Sequence, residues 1–512
     1  MSATANESLG PRLAATTSSG WGAQLGANFG KLIPLGAAIG ALAVQLIRPT
    51  NLDVSWLLTV NDRILAGVSA YQGVIELNPP ASILLYRIPA LIAKLLSIRA
   101  ELVVAGMLAL LIAGVLGYAA RILSRYELSG SASNGVFLAA SAFVLSVLPF
   151  DEIAQREHFA TIFIFPYALI AIARAEGKQI ALRDGLIAGA MLGLCIAIKP
   201  HFALCALMVS GFEAFRSRDV RALFRIEHWA AGAVVIAYFA ASMIFFPKFF
   251  SDILPEVADL YLPLRIDLIE LARRAALPIL LPISICWIFR NRAQNAGTIV
   301  LLMIGAGFLC AYLIQGKGWN YHAYPFVAFS LIAAGWAMQQ WQREAAGLAR
   351  KRGLLVLAVA LILPAPLFFR ADVSHPGLAA AITRLAPHPK ILAIAFPQNL
   401  GHPLVRDIGG LWVGRTWGLW ATGGAVLMKA RVGDDPVLRA KADAYFENDR
   451  LMLTQDIESQ RPDIVLLQET IGFDFTQWIA GSPRLQAAMT HYRLVETIDG
   501  VEIFQRRDDV LG

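Results

Sequence analysis

Short polar clusters interrupt an otherwise apolar chain, and their residue types suit proton transfer and phosphate binding. They are Asp53; Glu76-Leu77-Asn78-Pro79-Pro80; Asp151-Glu152 with Gln155-Arg156-Glu157-His158; Lys199-Pro200-His201; and Lys317-Gly318-Trp319-Asn320-Tyr321-His322. A carboxylate in such a place can take the proton of an incoming hydroxyl. Arg, Lys and His can neutralise a phosphate as it binds or leaves. Each cluster also has a plain structural use. Asp53 suits the N-cap of a helix over 54–66 as well as it suits a base. Glu76 can orient an acceptor or bind a cation, while Pro79 and Pro80 set a helix start with no further role. Asp151 and Glu152 can hold Arg156 and His158 against a phosphate, bind a divalent cation, or form a purely structural ion network. Lys199 and His201 can meet a lipid phosphate or a neighbouring acid. Trp319 and Tyr321 can stack on a sugar or serve as interfacial aromatics. Lys317 and His322 add positive charge, and the flanking glycines permit close backbone approach.

The elements that must position these residues are membrane helices. Of the 512 residues, 57% are hydrophobic and 16% charged, where a soluble domain has about a quarter charged. Mean hydropathy is +0.58. Eleven apolar segments qualify as candidate spans: 32–47, 101–120, 134–149, 158–173, 185–198, 201–215, 229–246, 275–289, 297–314, 323–340 and 353–369. Residues 185–215 can also be read as one helix kinked at Lys199-Pro200; two short helices preserve the charge balance and are preferred. With the N-terminus inside, the five inner loops hold fifteen Lys and Arg, and the three short outer turns hold three. The positive-inside rule selects that orientation, which puts every polar cluster on the outer face. The formal charge of +7 is then largely topogenic. No basic stripe alternates with aromatics, which argues against nucleic acid. Cys195, Cys205, Cys286 and Cys310 lie in apolar runs without C-x-x-C spacing, so they read as packing residues.

Residues 1–30, rich in Ser, Ala, Thr and Gly, read as a disordered cytoplasmic tail, and 32–47 as a retained first helix. The first outer loop, 49–100, contains amphipathic stretches at 54–66 and 81–98 that read as interfacial helices, with a similar stretch at 263–273. Beyond 370 the membrane pattern ends. Residues 390–396 and 463–467 read as buried strands, 436–460 as a helix and 501–504 as a late strand. The expected architecture is an α-helical multi-pass membrane protein of about eleven transmembrane helices (31–370) with a C-terminal periplasmic α/β domain (371–512), in a bacterial inner membrane.

Acidic Asp53 directly after the first helix, the long first outer loop, and the stretch from Gly67 through Tyr71 to Asn78-Pro79-Pro80 together resemble the GT-C superfamily of integral-membrane glycosyltransferases, of the protein O-mannosyltransferase and lipid A aminoarabinose transferase types. The resemblance covers about 1–370. It implies a polyprenyl-phosphate sugar donor at the outer face, a glycan, lipid or protein acceptor, and Asp53 as the base of an inverting displacement. It further implies that Arg156, His158, Lys199, His201, Lys317, Trp319, Tyr321 and His322 hold the donor's phosphate or sugar, and that Asp151-Glu152 is a second acidic position. Two other functions use similar parts. A transporter or flippase needs polar groups near the midplane reachable from both sides, whereas the clusters here share one side. An envelope-glycan polymerase or ligase would differ in using a lipid-diphosphate oligosaccharide.

Overall fold

The computed structural model describes residues 19–128, 135–288, 295–342, 347–369 and 375–507. All eleven apolar segments are helical, as α1 (Ser19–Ile47), α4 (Ala100–Arg125), α5 (Gly135–Ser146), α6 (Arg156–Ala175), α7 (Leu182–Ile198), α8 (Ala203–Ser217), α9 (Ile226–Phe245), α11 (Leu268–Ile288), α12 (Ala296–Gln315), α13 (Asn320–Trp341) and α14 (Gly347–Ile362). By length and composition five of the described helices can cross a membrane, or six if the bent pair of α1 and the next helix counts as one. The chain is thus a multi-pass helical membrane protein with a small C-terminal sheet.

Between α1 and α4 lie α2 (Leu52–Leu65) and α3 (Ala81–Leu96). α2 turns away from α1 by 84°. Two expectations are corrected here. α1 begins at Ser19, inside the tail expected to be disordered; residues 1–18 lie outside the described residues. The stretch 263–273 is not a separate interfacial helix, because α11 starts at Leu268 and runs on without a break. Preceding it, the short α10 (Leu254–Glu256) is flanked by π-helical turns over 249–253 and 257–261.

The break at Lys199-Pro200-His201 is real: α7 ends at Ile198 and a 3-10 turn leads into α8. Pro200 cannot continue the hydrogen-bond ladder of α7. Gly185, Gly189 and Gly193 repeat every fourth residue along α7 and admit α9. A side chain at Gly189 would collide with the Glu227 carbonyl, and one at Gly193 with Val234. α6 and α13 form the centre of the helical part, and nearly every residue of each is buried. α9, by contrast, exposes Ile236, Met243, Ile244 and Phe245. Such contiguous apolar surface suits contact with lipid. Cys195 and Cys205 are buried, and they and the half-buried Cys310 are free thiols; the side chain of Cys286 lies outside the described residues.

The C-terminal part contains α15 (Pro376–Leu385), α16 (Leu404–Asp407), α17 (Trp420–Arg431) and α18 (Pro436–Gln460) around a five-stranded sheet. Its strands are β1 (Lys390–Ile394), β2 (Leu411–Trp412), β3 (Ile464–Gln468), β4 (Tyr492–Ile498) and β5 (Val501–Arg506), in the order β2-β1-β3-β5-β4. The β2-β1-β3 half is parallel and the β3-β5-β4 half antiparallel. Leu392, Ile394, Val465 and Leu467 face a core shared with Leu453 and Ile457 of α18. The other face, with Ile391, Ala393, Ile464 and Leu466, belongs to the apolar cluster that continues into the helical part. β4 is not among the strands expected from the apolar runs, yet its hairpin to β5 carries a signal: Asp499-Gly500, with φ of 50° and 76°, which is the two-residue turn such hairpins prefer.

Candidate active site

Two central helices begin at one place. α6 starts with Arg156-Glu157-His158, and α13 starts with Asn320-Tyr321-His322. Helix N-termini carry partial positive charge, so both favour an anion near them. Asp53, in the first turn of α2, reaches the start of α6. Its Oδ2 accepts from Arg156 Nη2 and from Gln155 Nε2, both at 2.9 Å. Asp53 is not the N-cap of α2. The helix begins one residue earlier, and Asn51 caps it by accepting from the Asp53 N–H. The Asp53 carboxylate is thereby released from capping and keeps 21% side-chain exposure.

That exposure opens onto a cavity of about 670 Å³. Its polar floor is Asp53, Asn78, Gln155 and Arg156. Trp319 and Tyr321 form one wall, stacked with ring centroids 5.5 Å apart. The facing wall comes from the C-terminal part: Phe396, Gln398, Trp417, Trp420 and the turn 470–473. The volume and the mostly apolar lining with few polar groups are those of a ligand site.

Behind the floor lies a buried ion network. Glu157 pairs with Lys199, whose ammonium also donates to Gln315 Oε1 at 3.0 Å and meets His322 Nε2 at 3.1 Å. His322 Nε2 stands 3.4 Å from Glu157 as well. The shorter contact to the ammonium turns the lone pair of Nε2 toward Lys199. Arg156 Nε, Glu157 Oε2 and His322 Nδ1 are buried without a partner among the described residues. Buried polar atoms are normally satisfied, and orphans call for an explanation such as a ligand. The two carboxylates, Asp53 and Glu157, balance the two cations, Arg156 and Lys199.

Several of the candidate positions lie elsewhere. Asp151 takes two bonds from Arg48, at 2.6 and 2.8 Å, and its carbonyl accepts from Asn51 Nδ2 at 2.7 Å. Glu152 accepts from the same Asn51 amide at 3.0 Å. This acidic pair fastens the end of α1 to the cap of α2 and does not line the cavity. Glu76 is buried and accepts from Trp56 Nε1 at 2.6 Å and from the Asn78 N–H at 2.8 Å. Burial raises its pKa, opposed by Arg156. It therefore positions Asn78 rather than facing the cavity. His158 accepts from the Ala154 N–H on Nδ1 and meets the Leu145 carbonyl at 2.8 Å on Nε2, so both ring nitrogens are committed. Lys317 donates to the carbonyls of Tyr261 and Leu264 at 2.5 and 2.6 Å and sits 4.2 Å from the Tyr261 ring centre. It ties down the segment after α10 and does not line the cavity. His201 lies in the turn before α8 with its ring against Phe202 at 5.0 Å, away from the cavity floor.

Residue types and spacing do not single out Gln155 or any of the C-terminal wall. Gln155 stands in a polar turn beside Arg156, and that adjacency is its one signal. The aromatic residues at 396, 417 and 420 carry none, because aromatics in a soluble α/β part read as core.

Among the described residues, no three His, Cys, Asp or Glu side chains are grouped as metal ligands. The acids expected to hold a divalent cation are instead spent on Arg48, Asn51, Trp56 and Asn78.

The fold is shared with a solved protein over nearly the whole chain. Among solved structures, ArnT from Cupriavidus metallidurans in the apo state is similar over 93% of this chain and 98% of its own, with a TM-score of 0.56 and 11% identity. The same protein bound to undecaprenyl phosphate aligns with a TM-score of 0.48 and 12% identity, over 97% of this chain and 100% of that one. The arabinofuranosyltransferase AftD from Mycobacteria gives 0.44 and 14%, covering 92% of this chain and 40% of its own. No family model matches the sequence, and no curated protein does.

Proposed function

We propose that the protein moves a sugar from a polyprenyl-phosphate donor to a cell-envelope acceptor, with Asp53 as general base. The observation that carries this reading is a carboxylate and a guanidinium joined at the floor of a large aromatic-walled cavity, at the start of two buried helices. The acceptor hydroxyl lies against Asp53. Its oxygen attacks the anomeric carbon as Asp53 takes its proton. The bond from that carbon to the phosphate oxygen breaks, and the lipid phosphate leaves with the electron pair. Arg156, backed by Lys199, stabilises that charge as it develops. Because Asp53 and Arg156 are paired, a bound phosphate competes with Asp53 for the guanidinium. Donor binding thereby frees the carboxylate for its role as base. Trp319 and Tyr321 offer ring faces to the sugar.

The GT-C resemblance supports the donor class and an inverting outcome. The charge bias of the loops supports eleven spans, a cytoplasmic N-terminus, and a cavity and C-terminal α/β domain (371–512) on the periplasmic face of a bacterial inner membrane.

The test compares wild type with Asp53→Asn, each given labelled polyprenyl-phosphate sugars and an envelope extract as acceptor. Transfer or slow donor hydrolysis by wild type, lost at least roughly 100-fold in a folded Asn variant, is expected for a general base. Equal turnover by both proteins removes Asp53 from the chemistry. Failure of wild type with every monophosphate donor removes the donor class.

A further inference from the structure

A second cavity, of about 390 Å³, lies wholly in the C-terminal part and shares no lining residue with the one above Asp53. Four arginines from three elements line it: Arg461 at the end of α18, Arg484 from the helix over 483–489, and Arg506 and Arg507 at the end of β5. They are separated by up to 46 positions in sequence, so only the fold assembles them. His491 joins them at the rim.

Two of these arginines are spoken for. Arg484 makes two bonds to Glu458, at 2.8 and 2.6 Å, and Arg506 pairs with Asp463 at 3.0 Å. The guanidinium groups of Arg461 and Arg507 have no partner among the described residues, although their backbones are held by Ile457 and His491. Among the described residues, four guanidinium groups stand against two carboxylates, Glu458 and Asp463. Ile457, Ala488 and Tyr492 give it an apolar floor. Arg461 also occupies a left-handed position, with φ of 48°. Glycine or asparagine sits there without strain. A long cation kept at a strained position beside a concavity points to use of its charge.

The cavity continues along α18. A neighbouring hollow of about 550 Å³ shares Glu458 and Arg484 and runs on to Gln72 and Gly73 of the first long loop. The two hollows meet at Glu458 and Arg484, with the Arg461 and Arg507 guanidinium groups lining only the first. Planar guanidinium groups bind carboxylate and phosphate through paired N–H donors.

We propose that the arginine-lined cavity binds an acidic saccharide, with Arg461 and Arg507 holding its carboxylate or phosphate. The site is independent of the chemistry at Asp53, so its test does not rely on turnover. Full-length protein in discs of zwitterionic lipid is titrated with tetragalacturonate, glucose 1-phosphate, inorganic phosphate and neutral maltotetraose. Tetragalacturonate or glucose 1-phosphate is expected to bind wild type, more weakly as salt rises. The Arg461→Gln/Arg507→Gln double variant is expected to lose at least tenfold in affinity, and maltotetraose is expected not to bind. Which acidic sugar binds identifies the anionic group. A second variant, Arg461→Gly, relieves the backbone strain; its thermal midpoint should equal or exceed wild type while binding falls. Equal affinity in wild type and double variant overturns the proposal. So does binding of inorganic phosphate as tight as that of either sugar, or a fall in both midpoint and binding for Arg461→Gly. Binding of phosphatidylglycerol vesicles through the same arginines, with no saccharide binding, overturns it in favour of a lipid surface.

Discussion

Asp53–Arg156 and Asp151–Arg48 are near neighbours in the chain and chemically alike, yet they do opposite work. Arg48 grips both oxygens of Asp151, whose side chain is only 3% exposed. Nothing is left over to meet a ligand. Arg156 touches Asp53 through one nitrogen, and the carboxylate faces a cavity. A closed bidentate pair is a fastener. A pair that faces a cavity can be exchanged for a phosphate and a hydroxyl. The geometry of an ion pair, more than its composition, separates scaffold from site.

That comparison breaks if the two aspartates respond alike. For Asp53→Asn the expected effect is the largest, a fall of about 10²–10⁴ in kcat. The thermal midpoint should fall less than for Asp151→Ala, since an asparagine still accepts from Gln155 and Arg156. Asp151→Ala should do the reverse. It removes both bonds that Arg48 makes to Asp151, at a cost of about 3 kcal/mol, the low end for a broken buried pair because Arg48 is a quarter exposed. Detergent-solubilised yield and thermal midpoint should drop, while kcat per folded molecule is retained. A catalytic loss in Asp151→Ala with normal stability would falsify the fastener reading.

The walls sharpen the comparison further. Trp420 belongs to the cavity but stands far from Asp53 in sequence. Losing one aromatic contact costs about 0.5–1.5 kcal/mol beyond the lost area. Trp420→Ala should therefore raise the acceptor KM several-fold and leave kcat close to wild type in steady-state assays. An equal loss in kcat would place Trp420 with the reacting groups.

The last effect concerns pH, and it arises outside the membrane-spanning helices. Asp449 on α18 is buried; burial pushes its carboxyl up to about 6, against hydrogen bonds from Thr422. Burial and the nearby Asp449 and Asp259 push Glu256 up to about 7. A carboxyl raised on folding binds its proton more tightly in the folded state. It adds stability below about pH 4, and that stability fades as pH rises through about 4 to 7. The shift at Asp449 corresponds to roughly 2–3 kcal/mol. Thermal midpoints at about pH 4.5 and about pH 7.5, either side of that window, should differ less for Asp449→Asn than for wild type. An unchanged difference would show that Asp449 stays ionised throughout.

Much of this protein is legible in the order of its amino acids. Hydropathy locates the eleven helical segments, because the bilayer demands long apolar runs with internally satisfied backbones. Strands β1, β3 and β5 are legible as short apolar runs. Asp53, Arg156, Trp319 and Tyr321 stand out as polar or aromatic residues at apolar boundaries, and the fold brings them to one cavity. Glu157, Lys199 and His322 lie one layer behind it.

The rest depends on contacts that composition does not encode. Asp53 and Asp151, or Lys199 and Lys317, look alike as letters. Lys317 is held by the carbonyls of Tyr261, the last residue of a π-helical turn, and of Leu264 just beyond it, more than fifty residues earlier, and Lys199 by a glutamate forty-two residues away. The sequence alone determined where polar groups interrupt the apolar pattern, since transfer free energy is local and additive along a chain. Only the tertiary structure decided which of them remain exposed to a ligand. A side chain's availability depends on which partners fill its hydrogen-bonding positions, and those partners, like the aromatic wall from 396 to 427, arrive from distant parts of the chain.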